Sequence, residues 1–160
     1  SIILGFSSGI APLISYNYGK NEKQNLKKLV KYGYLMIVVF CIAVFCLSET
    51  IAPFITIIFT DKTSRLYHIT VTGFRIFAIS FLFDGINIFS SALFTAFGNG
   101  KISAFISFMR SLGFFVPIIL ILPLFLNVIG IWLVVPISEI CTILISIYCY
   151  KIFKKQYGYG

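Results

Sequence analysis

The sequence predicts an all-α protein, a polytopic bundle of transmembrane helices with about four complete spans and one partial span at the N-terminus. Hydrophobic residues make up 59% of the 160 residues and charged residues only 11%, whereas a soluble domain has about 25% charged residues. Several apolar runs reach the length of about 20 residues that a helix needs to cross a bilayer. So few charges cannot cover a water-soluble globule of this size, and we expect the lipid bilayer to surround the chain.

The apolar runs, and the polar segments between them, place the elements along the chain. The sequence begins inside an apolar run, so we expect Ser1 to lie partway through a helix and 1–160 to be the C-terminal portion of a longer protein. The predicted spans are 1–19 (partial), 32–59, 69–97, 102–126 and 131–150. Residues 20–31, KNEKQNLKKLVK, are polar but place three aliphatic side chains on one helical face. This segment is predicted to lie along the cytoplasmic membrane surface with its lysines towards the headgroups.

The basic residues indicate the orientation of the chain in the membrane. Of the 13 Lys and Arg, nine fall in connections on one side of the predicted topology, in 20–31, at Lys101 and in 151–155. Lys62 and Arg65 fall on the other side. Because cytoplasmic loops carry an excess of Lys and Arg, we expect a multi-pass protein of the cell membrane with a cytoplasmic C-terminus. A net charge of +8 arranged in this way does not form a groove-binding surface, so nucleic acid is not an expected partner.

The stretch from Phe74 to Lys101 organises the rest of the chain, because its predicted helix carries a carboxylate, Asp84, in the middle of an apolar body. At about 100° per residue, six positions fall on one side of this helix. They are Phe77, Ser80, Asp84, Asn87, Ser91 and Thr95. An ionisable group at mid-depth costs several kcal/mol unless it faces protein or water, which makes Asp84 a functional-site hypothesis. The alternative is that the polar side only hydrogen-bonds between packed helices.

A second acid, Glu139, lies on a polar side of the last predicted span. Two intramembrane carboxylates in a short chain indicate cation coupling, because a carboxylate in a cavity that opens to each side in turn loads and releases a cation. Arg110 either snorkels towards the headgroups or is the partner of an acid, and snorkelling is favoured for Arg75. Glu49 is expected to be solvated near the membrane interface.

Sequence features of enzymes and metal sites are missing from the chain. The four cysteines lie in apolar runs without a CxxC pair, which favours a packing role. Residues 98–101 read GNGK after an apolar run, but they lack the spacing of a phosphate-binding GxxxxGK(S/T) loop. We therefore expect no enzymatic activity, no metal site and no cofactor other than a coupling ion.

Three segments together resemble a known family of transporters. They are GIAPLISYNYGK at 9–20, FLFDGINIFSSALFTAFGNGKISAFISFMRS at 81–111 and GIWLVVPISEI at 130–140. In order and spacing they are similar to the C-terminal lobe of the multidrug and toxic compound extrusion (MATE) family, in its bacterial branch. The resemblance implies two six-helix lobes around a central cavity, of which this chain would supply the end of the eighth helix to the twelfth. Asp84 falls where the Na⁺-linked branch of the family carries an acid in its tenth helix.

The function implied by this resemblance is part of a cation-coupled antiporter that exports drugs or other organic compounds. Na⁺ or H⁺ would couple at Asp84, and the expected partners are the remaining N-terminal helices and a small organic substrate. Part of the substrate cavity would be lined by Phe77, Phe81, Asn87, Ser91 and Glu139. One alternative is a lipid-linked oligosaccharide flippase of the same superfamily, which would present a more cationic cavity than Arg75 and Arg110 provide. Another is a non-transporting membrane scaffold subunit, in which neutralising the acids would be harmless.

Overall fold

The computed structural model describes residues 2–159, and within them it consists of helices and connections without a strand. The elements are α1 (Ile2–Gly19), α2 (Lys23–Phe59), α3 (Arg65–Ala78), α4 (Phe81–Ala96), α5 (Gly100–Phe108), a π-helical segment (Met109–Gly113) and α6 (Phe115–Tyr157). The stretches Lys23–Phe59, Arg65–Ala96 and Gly100–Tyr157 are long and apolar enough to cross a membrane. The predicted fold class, an all-α membrane helix bundle, is confirmed. Ser1 and Gly160, the two ends of the predicted lobe portion, lie outside the described residues.

The long helix α6 reverses direction at Asn127 and forms two limbs, 115–126 and 128–157. Asn127 has φ 50° and ψ −132°, a non-helical conformation in the left-handed half of φ. Residues eight apart in a straight helix lie about 12 Å apart. A Cβ atom on Gly130, however, would approach the carbonyl oxygen of Leu122 to 2.6 Å. The chain therefore folds back at Asn127, and only glycine leaves room for the two limbs to meet so closely.

The helix predicted over 69–97 is interrupted at Ile79 and Ser80, which separate α3 from α4. The amide of Ser80 bonds the carbonyl of Phe77 at 2.9 Å, and the amide of Phe83 bonds the carbonyl of Ser80 at 3.0 Å. These bonds to the third preceding residue belong to a 3₁₀ turn, which is tighter than an α-helix. The Ser80 hydroxyl also donates to the Phe77 carbonyl at 2.7 Å, and such a bond competes with the regular helical ladder.

Helix α4 lies at the centre of the bundle, because it contacts α1, α2, α5 and α6. Its residues Phe89, Leu93 and Phe94 are completely buried. Close approach to α2 depends on two glycines: Gly33 of α2 faces the ring of Phe89, and Gly85 of α4 faces a side chain of α2. Small residues of this kind let membrane helices pack backbone to backbone.

The lysine-rich segment 20–31 was predicted to lie along the membrane surface as an element of its own. In the structure it does not form a separate helix. Only residues 20–22 form a connection, and from Lys23 onward the segment is the start of α2. The physical reason is burial: Leu26 and Val30 are each 1% exposed and pack into the core of the bundle. With 37 residues, α2 is about 55 Å long, which exceeds the roughly 30 Å hydrocarbon core.

The connections gather at two opposite ends of the bundle. At one end the termini of α1, α4 and α6 meet, where the ring of Phe97 lies 5.2 Å from that of Tyr18 and stacks on that of Tyr157 at 4.6 Å. At the other end Arg65 of α3 and Asn127 line the same cleft. The chain thus passes back and forth between a lysine-rich end and an end that holds the 60–64 connection and the reversal at Asn127.

Candidate functional site

Asp84, the acid singled out in the sequence, forms an ion pair with Arg110. The Nη1 atom of Arg110 donates to Oδ1 of Asp84 at 2.7 Å. The arginine side chain is 26% exposed and the aspartate side chain 32%. Of the two interpretations of Arg110, the partner of an acid is therefore the one that the structure shows. A charge-assisted bond of this length is among the stronger polar contacts in proteins.

Arg110 lies in the π-helical segment that follows α5. The amide of Phe114 donates to the carbonyl of Met109, five residues back, at 2.9 Å. This wider turn joins α5 to the first limb of α6, and Gly113 leaves space for the Met109 side chain inside it. A single π-helical turn is rare in proteins and is found frequently at functional sites.

Glu139, the second acid, is bonded to Asn87 in the interior of the bundle. The Nδ2 atom of Asn87 donates to Oε2 of Glu139 at 2.7 Å and to its backbone carbonyl at 3.0 Å. Ser146 Oγ completes the network by donating to Oδ1 of Asn87 at 2.9 Å. Asn87 is completely buried and Glu139 is 6% exposed. The network ties α4 to the second limb of α6 and satisfies polar atoms that would be costly to bury alone.

Both acids meet the same side of α4. Asp84 and Asn87 are three residues apart in this helix, a spacing that brings side chains together on one face. The face therefore carries the Asp84–Arg110 pair towards the π-helical segment and the Asn87–Glu139 bond towards α6. This face of α4 thus presents one carboxylate that is paired with an arginine and contacts a second carboxylate that accepts a hydrogen bond from an amide.

Ser91 lies in a cluster of hydroxyl groups between α4 and α5. Its Oγ atom is 2.9 Å from Oγ of Ser103 and 2.8 Å from Oγ of Ser107, and Thr95 Oγ1 donates to Ser103 at 2.7 Å. This is the helix-packing role that was the alternative for the polar side. The cluster also borders a cleft of about 160 Å³. Among the residues that line this cleft are Ser7, Asn87, Ser91, Ser107 and Arg110.

Phe77 and Phe81 flank the 3₁₀ turn between α3 and α4. Their rings are 5.7 Å apart in an edge-to-face arrangement, and both side chains are half-buried. The residues that line the cleft beside Asn87 and Ser91 do not include either phenylalanine. Their place in a substrate cavity stays a prediction.

Several polar contacts were not anticipated from the sequence. Arg75 was expected to snorkel and Glu49 to be solvated, but Nε of Arg75 lies 3.4 Å from Oε2 of Glu49. The pair links α3 to α2, and the arginine is 53% exposed, so its contribution is that of a surface ion pair. Ser103 and Ser107 were also missed, although their spacing of four residues in a helix was a usable signal.

The comparisons with known proteins add one finding. No curated protein and no solved structure matches the chain significantly. The family model MatE matches residues 1–121, which is about three quarters of the chain. Members of this family are membrane transporters rather than enzymes. The chain therefore belongs to the MatE family, the multidrug and toxic compound extrusion transporters.

Proposed function

We propose that the chain forms part of a cation-coupled antiporter that exports drugs or other organic compounds across the cell membrane. The observation that carries the proposal is the Asp84–Arg110 ion pair inside membrane-crossing helices, at 2.7 Å. Charged residues at this depth are costly and mark ion pathways in transporters. The coupling ion is Na⁺ or H⁺, no further cofactor is required, and the lysine-rich end with the C-terminus lies in the cytoplasm of a bacterial cell.

The proposed coupling step is a competition for the Asp84 carboxylate. When a proton or Na⁺ binds Asp84, the attraction between Asp84 and Arg110 falls, and the contact between α4 and the π-helical segment weakens. An ion drives a transport cycle only through a difference in its affinity for two conformations. Here that difference arises because one conformation has Arg110 on Asp84 and the other leaves the carboxylate to the cation.

The buried network beside the pair supports the proposal by giving the substrate side of α4 a polar lining. Asn87 borders the cleft in which Arg110 and Ser91 also lie. A small organic substrate would contact this face, with Phe77, Phe81 and Glu139 as further lining residues. The remaining helices of the transporter would close the cavity from the other side.

The flippase alternative is less well supported by the charges of the chain. A flippase would need free cationic groups inside its cavity to bind the pyrophosphate of a lipid-linked oligosaccharide. Within the described residues, the two arginines inside the predicted spans are both paired, Arg75 with Glu49 and Arg110 with Asp84. The proposed drug or organic-compound exporter makes no such demand.

Replacement of Asp84 tests the proposal. Asp84→Asn keeps the size of the side chain but removes the charge, so the complete transporter should insert normally and lose efflux driven by an imposed Na⁺ or proton gradient. Glu49→Gln is the matched control, because it neutralises an acid that is also paired with an arginine but outside the α4 site. We expect this control to retain efflux in vesicles.

The outcomes separate the three functions. Wild-type efflux in the Asp84→Asn variant would end the assignment of coupling to this residue. Movement of a fluorescent oligosaccharide lipid, without drug efflux, would favour the flippase. A wild-type protein that moves neither compound would favour the scaffold.

A further inference from the structure

Four lysines from distant parts of the chain converge at the lysine-rich end of the bundle. Lys23 and Lys27 lie one turn apart at the start of α2, and Lys154 and Lys155 lie in the last turn of α6. Together they line a cleft of about 390 Å³, which we call the lysine cleft. About 130 residues separate the two pairs of lysines, so the fold and not the local sequence brings them together.

The far wall of the lysine cleft is held in place by the C-terminal turn. Gly158 adopts φ 70° and its amide bonds the carbonyl of Lys154 at 3.1 Å. Beyond the turn Tyr159 is 2% exposed, and its hydroxyl donates to the carbonyl of Tyr150 at 2.9 Å. Burial and these bonds fix the end of α6 against the bundle, so Lys154 and Lys155 face Lys23 and Lys27 across a formed cleft.

The positive charge of the lysine cleft is not balanced by the acids of the chain. The sequence contains five Asp and Glu residues. Asp84 and Glu49 pair with arginines, Glu139 bonds to Asn87, and Asp61 follows α2 at the opposite end of the bundle. Glu22, next to the cleft in sequence, accepts a hydrogen bond from Asn25 at 2.6 Å. Within the described residues, the four ammonium groups therefore lack an acidic partner that would neutralise them.

We expect the cleft at the depth of the lipid headgroups, because its lysines lie just beyond the apolar parts of α2 and α6. Lys31 and Lys151 are the charged residues closest to the apolar parts of α2 and α6. At about 1.5 Å per residue, Lys27 lies about 6 Å beyond Lys31, and Lys154 lies about 5 Å beyond Lys151. The headgroup region extends roughly 5–7 Å on each side of the hydrocarbon core. With Lys31 and Lys151 at the edge of the hydrocarbon, Lys27 and Lys154 would lie beside the phosphate groups, and Lys23, about 12 Å beyond Lys31, would lie further towards the water.

An exposed apolar stripe on α6 leads from the hydrocarbon region towards the lysine cleft. Leu144, Tyr148 and Ile152 are 64%, 66% and 52% exposed, and their spacing of four residues places them on one side of the helix. Lys155 continues this side one turn later. An acyl chain on the stripe and a phosphate in the cleft would belong to one lipid molecule, whereas free phosphate would use the cleft alone.

We propose that the lysine cleft binds the phosphate of an anionic phospholipid, with an acyl chain along the Leu144–Ile152 stripe. Basic pockets on the cytoplasmic side of membrane helices recognise such headgroups. The site is separate from Asp84 and does not depend on the proposed transport activity.

Native mass spectrometry of the complete, delipidated protein tests this site. With added phosphatidylglycerol the protein should retain the lipid, and with phosphatidylcholine it should not. In the variant Lys27→Gln/Lys154→Gln we expect about 30-fold weaker retention of phosphatidylglycerol, since each lysine near an anionic surface contributes about fivefold. The control Lys28→Gln/Lys101→Gln removes the same charge from outside the cleft and should retain the lipid.

Several results would overturn the proposal. If both double variants lost phosphatidylglycerol retention to the same extent, the effect would come from surface charge in general and not from a specific site. Displacement of phosphatidylglycerol by an equal concentration of inorganic phosphate would show a free-anion site. Salt screens exposed charges, so the unaltered protein should retain less phosphatidylglycerol as the salt concentration is raised. Retention that does not depend on salt would also contradict the proposal, and this measurement needs no variant.

Discussion

Asp84 and Arg110 show how a membrane helix tolerates an acid at mid-depth. Each charge alone would be costly in a bilayer, but the 2.7 Å contact allows each to neutralise the other. The acid is nevertheless about one-third exposed. A pair that is stabilised and still accessible is what the proposed exchange of Arg110 for a cation at Asp84 requires.

The stability of the protein should depend on the Asp84–Arg110 pair. Arg110→Gln should destabilise the protein by about 1–3 kcal/mol, because it leaves the partly buried Asp84 carboxylate without its charged donor. The double variant Arg110→Gln/Asp84→Asn removes both charges and should recover much of that loss. Thermal unfolding in detergent measures both effects. Additive losses in the double variant would show that the two residues do not interact.

The buried Asn87–Glu139 bond should also contribute to the stability of the protein. Asn87→Leu should cost about 1–3 kcal/mol of stability, because Glu139 is buried and would lose its side-chain donor. The double variant Asn87→Leu/Glu139→Leu leaves neither partner polar and should recover part of the lost stability. The control Asn25→Leu removes a surface amide that bonds Glu22 and should change the melting temperature little. Equal effects of Asn87→Leu and Asn25→Leu would contradict a structural role for the buried bond.

Among single residues, the sequence singled out Asp84 and Glu139 but did not settle the partners that the structure gives them. Asp84 was singled out because a carboxylate in an apolar helix is unusual whatever surrounds it. Arg110 as its partner was one of two open interpretations, because the relative rotation of α4 and the π-helical segment depends on a wide turn that a regular helical period does not show. The Asn87–Glu139 bond joins residues 52 positions apart, and no local pattern specifies such a contact.

Helix α4 packs closely against α2 because a large side chain on one helix faces a glycine on the other. Phe89 fills the space left by Gly33 of α2, and the ring of Tyr34 meets that of Phe89 edge to face at 4.7 Å. The Tyr34 hydroxyl lies 2.9 Å from Oγ of Ser90. The α2–α4 contact thus combines close packing with one polar bond, as is usual between membrane helices.

Enlarging Gly33 should separate these two helices. Gly33→Leu would place a side chain where the buried Phe89 ring lies, and overpacking of this kind costs about 1–3 kcal/mol. Gly9→Leu is the control, since a Cβ atom at Gly9 meets nothing within 4 Å in the described residues. Thermal unfolding of the purified protein compares the two. If both variants melt at the same temperature, the close α2–α4 contact is not what Gly33 supports.

The sequence predicted an all-α membrane bundle, which the structure confirms, but it did not predict every break inside the helices. The reversal between the last two spans was predicted over 127–130, where a polar residue and a glycine interrupt the apolar run, and the chain does reverse at Asn127. The 3₁₀ turn at Ile79–Ser80 was missed, because serine is common inside membrane helices and a break depends on which carbonyl its hydroxyl bonds. The start of α2 was placed differently because the aliphatic face of 20–31 was assigned to the membrane surface, whereas Leu26 and Val30 pack inside the bundle.

For the whole molecule, the two ends of the bundle differ strongly in charge. The lysine-rich end collects the α1–α2 connection, the α4–α5 turn and the C-terminus, whereas the other end holds the 60–64 connection and Asn127. The helical surface between them is apolar, with Val39 and Leu144 exposed at 59% and 64%. Because cytoplasmic loops carry an excess of Lys and Arg, we predict that the lysine-rich end faces the cytoplasm.

Thiol labelling in intact cells tests this orientation. Thr63 is exposed in the 60–64 connection, whereas the neighbouring Ser64 accepts a bond from the amide of Leu66 and caps α3, so Thr63→Cys is the safer probe. In a background without Cys41, Cys46, Cys141 and Cys149, an impermeant maleimide should label Thr63→Cys from outside. Gln24→Cys, at the lysine-rich end, should be labelled only after the cells are permeabilised. The reverse pattern would place the lysine-rich end outside the cell, because both positions are exposed in the folded chain and differ only in the side of the membrane on which they lie.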